Sequence, residues 1–130
     1  PFLISSGVIG VLAQRLVRCI CTKCKEQYKP PLDAVKRLGI PLDEGSSVTF
    51  YRGKGYDYCK GTGYKGRIGI YELMIMNDKI RDLVLTRASS HTIREAAIQT
   101  GMKTLKEDAM EKILLGTTSL EESLRVIYSG

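Results

Sequence analysis

The residues of this 130-residue chain best suited to chemistry are four cysteines, Cys19, Cys21, Cys24 and Cys59, all in its first half. Two residues separate Cys21 from Cys24, a spacing that metal sites favour, and a disulfide scaffold would carry cysteine more densely. Metal binding in a reducing compartment is therefore the leading reading, with reduced, unliganded thiols as the alternative. His91 is the lone histidine and precedes a helix, so it reads as a solvent-facing or capping residue rather than a ligand or base. Without a second histidine or a Cys–His partnership, nucleophilic catalysis has no support.

Phosphate chemistry lacks its usual residues. The sequence contains no Gly-x-x-x-x-Gly-Lys-Ser/Thr run, whose main-chain N–H groups and lysine would cradle a triphosphate, and no acidic magnesium ligand closing an apolar strand. Arg15, Arg18 and Arg67 could meet a phosphate, but strand arginines are more often solvated or paired. The net charge of +6 is local: Arg18 to Arg67 holds eleven Lys/Arg against five Asp/Glu, and the remainder holds nine of each. Such a basic run usually marks a solvated face.

The elements that must position these groups follow from pattern and punctuation. Ile4, Val8, Val11 and Leu12 recur at helical intervals, although Gly7 and Gly10 weaken a helix there. Leu16 to Ile20 suits a strand but is not decided by periodicity. Lys29-Pro30-Pro31 stops any element, and a short helix over Leu32 to Leu38 closes at Gly39 and Pro41. Val48 to Tyr51 suits a strand. Five glycines between Gly53 and Gly66 predict a turn-rich loop around Cys59. Arg67 to Met76 is nearly continuous apolar sequence, which predicts a strand buried on both faces and ended by the capping pair Asn77-Asp78. Capping boxes at Thr92/Glu95, Thr104/Glu107 and Ser119/Glu122, with Gly101 and Gly116 as stops, delimit three helices after one at Asp78 to Thr86. These four predict a compact helical tail with Ile113, Leu114, Leu120, Leu124 and Ile127 facing its core.

Ala13-Gln14-Arg15-Leu16-Val17-Arg18, Cys21-Thr22-Lys23-Cys24, Gly55 to Arg67, Gly69-Ile70-Tyr71-Glu72-Leu73 and Thr118-Ser119-Leu120-Glu121-Glu122 occur in order along the chain. Together they resemble the C-terminal segment of the motor ATPases of type II secretion and type IV pilus assembly, the GspE/PilB type. The resemblance implies strands near Val11 to Cys19 and Arg67 to Met76, paired around an insert. It also implies a zinc held by two Cys-x-x-Cys pairs on that insert. The first pair falls on Cys21 and Cys24, and the second on positions 56 and 59, where Tyr56 departs from the pattern and Cys59 keeps it.

Three thiolates remain where structural zinc takes four ligands. Cys19 is the candidate fourth ligand, though one residue from Cys21 is a strained spacing for chelation, and the phenol of Tyr56 is a poor ligand at neutral pH. Zinc is thus expected to be weak or absent, and ATP with magnesium to belong to the parent protein alone.

The expected fold is α+β: a short strand pair interrupted by a small Cys-bearing insert, then a four-helix tail. Residues 1–20 and 66–130 would be the C-terminal part of a motor domain and residues 21–65 the insert. The sequence starts Pro1-Phe2-Leu3 without a Met, and the expectation is a soluble piece of a longer, cytoplasmic protein held at the inner membrane by its partners. The resemblance implies a hexamer of such subunits, inner-membrane platform proteins as partners, and no nucleic acid or transmembrane segment. The segment itself is expected not to be an enzyme. The rival reading is a zinc-ribbon-like module binding nucleic acid, with Tyr51, Tyr56, Tyr58 and Tyr64 as stacking residues among the cations.

Overall fold

A computed structural model describes Gly7, residues 10–39 and residues 49–128. Strand β1 (Gly10–Ile20) pairs with β4 (Tyr64–Ile75), and β2 (Lys25–Tyr28) pairs with β3 (Phe50–Gly53). The first pairing is antiparallel: the Gly10 backbone lies against Met74 and Ile75, while just beyond the other end the Cys21 N–H donates to Gly63 O at 2.9 Å. The second is antiparallel too, with Lys25 opposite Gly53 and Tyr28 opposite Phe50. The expected strand pair and its insert are therefore present. Val11 and Leu12 lie in β1, as the resemblance implied, and not in the short helix suggested by their spacing, because pairing with β4 overrides a weak helical pattern. Ile4, Val8, Pro41 and Val48 lie outside the described residues.

The described residues form two compact units. One comprises those among Arg15–Ile70 and Leu105–Gly130. Here helix α1 (Leu32–Leu38) starts after Pro31 and ends at Gly39, whose φ of 87° is the left-handed turn that glycine adopts without strain. Its Val35 and Leu38 pack with Phe50 of β3 and with Ile113, Leu120 and Leu124 of helices α4 (Leu105–Leu114) and α5 (Leu120–Ile127). A second cluster joins Val17 of β1 and Ile70 of β4 to Ala109 and Val126. Each large apolar side chain so buried contributes roughly 1.5–3 kcal/mol. The core of residues 21–65 is thus shared: its own Val35, Leu38 and Phe50 pack together and against the last two helices. Leu114 departs from expectation: it is 45% exposed, while its neighbour Ile113 fills the cluster.

The other unit comprises the described residues among Pro1–Gln14 and Tyr71–Thr104. Helices α2 (Asp78–Leu85) and α3 (Ser90–Gln99) bury Met76, Ile80, Ala96 and Ala97 together, and Arg94 grips Glu72 through two bonds of 2.6 and 3.0 Å. The four expected helices exist: α2 and α3 share the core of this unit, and α4 and α5 contribute to the core of the other. Asn77 caps α2 as expected. For α3 the cap is Ser89, whose Oγ accepts the Thr92 N–H, so Thr92 lies within the first turn instead of starting the helix. β4 is also not buried on both faces. Ile70 is fully buried while Tyr71, Leu73 and Ile75 are 43%, 48% and 64% exposed, as a two-stranded sheet with a cluster on one side leaves alternate residues uncovered. No helix among the described residues is long and apolar enough to cross a membrane.

Candidate metal centre

Three of the four cysteines converge. Cys21 follows directly on β1 and is fixed by its N–H bond to Gly63 O; a turn closed by Cys24 N–H to Cys21 O at 3.3 Å then brings Cys24 to the start of β2. Cys59 ends a single 3-10 turn, Asp57–Cys59, which Lys60 closes in left-handed conformation at φ 56°. The sulfurs of Cys21, Cys24 and Cys59 all lie within 4.8 Å of one another, with Cys24 and Cys59 at 3.7 Å. Zinc–sulfur bonds of about 2.3 Å place sulfurs roughly 3.8 Å apart in a tetrahedron. The three thiols therefore fit three corners of such a site. Cys19 sits on β1 outside this group, and among the described residues no further His, Cys, Asp or Glu joins it.

Main-chain donors surround the sulfurs. Gly55 N–H donates to Cys24 Sγ at 3.3 Å, and Cys59 Sγ accepts from Tyr56 N–H at 3.3 Å and Gly63 N–H at 3.2 Å. The Tyr56 N–H contributes most to bringing the Cys59 thiol down to about 6, helped by Gly63 against the effect of burial. Burial pushes Cys24 the other way, upward. Such N–H···S bonds are what hold and orient ligating sulfurs in metal sites. The glycines serve this geometry: a Cβ on Gly53 would stand 2.0 Å from Gly63 O, so β3 and the start of β4 touch backbone to backbone beside Cys59. The glycine density of the loop signalled a turn, but which N–H groups point at sulfur was not legible from it.

The remaining sequence candidates are dispersed. His91 projects from α3 with its side chain 82% exposed, 3.7 Å from Glu95. Arg15 and Arg67 are exposed on β1 and β4. Arg18 instead binds Glu122 and lays its guanidinium 4.2 Å from the centroid of the Tyr64 ring. Ser119 caps α5 by accepting the Glu122 N–H at 3.0 Å, as expected. The Glu122 carboxylate, though, goes to Arg18 and Arg125. That network was missed because a capping-box pattern says nothing about a distant strand.

The fold and site define an α+β segment in which antiparallel strands present a three-thiol turn. The family model described as "Type II/IV secretion system protein" matches residues 1–125, and the chain belongs to that family. It is 47% identical over 124 residues to the type IV pilus assembly ATPase PilB of Thermus thermophilus, covering 95% of this chain and 14% of that relative. It is 40% identical over 126 residues to type II secretion system protein E of Pseudomonas aeruginosa, covering 97% of this chain and 24% of the relative. The type IV pilus assembly ATPase PilB of Myxococcus xanthus is 36% identical over 123 residues, 94% of this chain and 22% of the relative. The chain thus spans between 14% and 24% of the lengths of these relatives.

Proposed function

We propose that the chain is the C-terminal structural and interaction segment of a hexameric ATPase that powers type II secretion or type IV pilus assembly. Residues 1–20 and 66–130 are its share of the motor domain and residues 21–65 the inserted subdomain. The nucleotide site lies in the parent outside these residues, and the segment alone is not an enzyme. The parent works in the cytoplasm, with inner-membrane platform proteins and neighbouring subunits as partners. One observation carries this reading: nearly the whole chain aligns with proteins named as assembly ATPases, yet it matches a minor part of each. Its test is a chimera of the Thermus thermophilus PilB in which these residues replace the aligned segment. Pili assembled by the chimera are expected; a chimera that folds and hydrolyses ATP but assembles none overturns the reading.

The nucleic-acid reading is disfavoured by where the tyrosine faces point. Arg18 covers Tyr64, Lys25 covers Tyr51, and Lys23 and Lys65 both stand over Tyr58, at 4.2, 5.1, 5.4 and 5.2 Å from the ring centroids. Ring faces occupied by cations are not open platforms for base stacking. A gel shift with a steep salt dependence would restore that reading.

A further inference from the structure

We propose that Cys21, Cys24 and Cys59 form an open metal site, in which three protein thiolates hold a zinc-class ion and a small exogenous thiol takes the fourth position. Zinc seeks four ligands, and a site with three protein ligands keeps an exchangeable corner. Three sulfurs within 4.8 Å of one another occupy three corners, and among the described residues no other Cys, His, Asp or Glu reaches the group. Cys19 stands apart on β1. Tyr56 stands in the turn beside Cys59, its N–H bonded to Cys59 Sγ at 3.3 Å. The residue is 49% exposed, and a phenol is a harder, less favoured partner than a thiolate for a soft or borderline ion. Cys24 is also partly exposed, whereas Cys21 and Cys59 are buried. Water therefore reaches the Cys24 and Tyr56 side of the site.

The class of the added ligand follows from charge and softness. Three thiolates already select a soft or borderline ion, and such an ion prefers sulfur for its last position. A fourth thiolate brings the assembly to two net negative charges. Lys23 lies between Cys21 and Cys24 and Lys60 follows Cys59, while Lys23 and Lys65 gather at the Tyr58 ring next to Cys59. These cations offset that charge.

Cobalt(II) tests the proposal, because its visible bands report ligand number and sulfur content without any activity assay. The 130-residue chain is loaded anaerobically with cobalt(II) and titrated with 2-mercaptoethanol. Expected is a three-thiolate spectrum whose sulfur-to-cobalt charge-transfer band grows saturably with the thiol, with cobalt affinity rising in parallel. Tyr56→Cys should show the four-thiolate spectrum from the start and ignore the added thiol. Cys19→Ser should respond as the unmodified chain does, and Cys24→Ser should lose the metal while keeping its circular dichroism. A thiol-insensitive, four-ligand spectrum that collapses in Cys19→Ser overturns the proposal, as does a folded chain that takes up no cobalt at any thiol concentration.

Discussion

The carboxylate of Glu122, with no solvent exposure, accepts the main-chain N–H of Arg18 at 2.7 Å and its guanidinium at 3.0 Å, across 104 residues of sequence. Arg125 adds two bonds of 2.9 Å from the same helix. The loop before α5 completes the junction, with Thr118 Oγ1 donating to Arg18 O at 2.7 Å and Ile20 N–H donating to Thr117 O at 2.9 Å. The end of β1 that delivers Cys21 is therefore held by the start of α5.

Glu122→Gln should destabilise the chain. Removing one member of a buried ion pair costs roughly 3–5 kcal/mol, and the lower end applies because the side chains of Arg18 and Arg125 are 42% and 57% exposed and can hydrate. Denaturant unfolding measures it; a change below about 1 kcal/mol would show that the network is incidental.

The same carboxylate sets an acid dependence. Burial pushes the Glu122 carboxyl up, but the bonds from Arg125 and Arg18 outweigh it and hold the group down at about 2, below its usual 4.5. A carboxyl lowered on folding contributes its full stabilisation above the unfolded value and loses it as pH falls toward the folded one. Unfolding midpoints of the native chain should therefore drop between pH 4.5 and about 2, and Glu122→Gln should drop less steeply over that window. Parallel curves would contradict the assignment.

Ile70→Asp and Ile75→Asp should behave oppositely, since the first is fully buried with Val17 and Ala109 and the second is 64% exposed. An unpaired charge at Ile70 should cost several kcal/mol and at Ile75 about 0.5 kcal/mol or less. Equal melting temperatures for the two variants would mean that the cluster does not sit on one face of the sheet.

Gly53→Ala should damage the thiol turn as well as stability. Its new methyl would meet Gly63 O at 2.0 Å, and overpacking of this kind costs on the order of 1–3 kcal/mol. Because Gly63 N–H bonds Cys59 Sγ, alkylation of Cys59 should quicken in the variant; an unchanged rate would separate the glycine contact from the site.

Calorimetry should detect no ATP–magnesium binding to the chain alone, because its sequence contains no Gly-x-x-x-x-Gly-Lys-Ser/Thr run to cradle the phosphates. Saturable micromolar binding would require a nucleotide site of another kind.

Much of the local structure was legible in the chain. The double proline and Gly39 bounded α1, Asn77 and Ser119 marked helix starts, and Cys21-x-x-Cys24 with the glycine-rich stretch around Cys59 located the thiol turn. The helix start at Ser89 was missed because Thr92 with Glu95 completes a capping-box pattern, whereas Ser89 has Thr92 three residues on and caps by its hydroxyl alone.

By itself the sequence determined the α+β class and the four C-terminal helices, which rest on spacing that backbone sterics and capping chemistry read locally, and its ordered motifs carried the resemblance to the family. Only the tertiary structure decided which sulfurs meet, that Cys19 stays outside them, that the four helices divide into two cores, and that Glu122 serves a strand 104 residues away instead of its own helix end. Those outcomes depend on contacts between distant segments, where burial and charge pairing in three dimensions outweigh what each segment prefers alone.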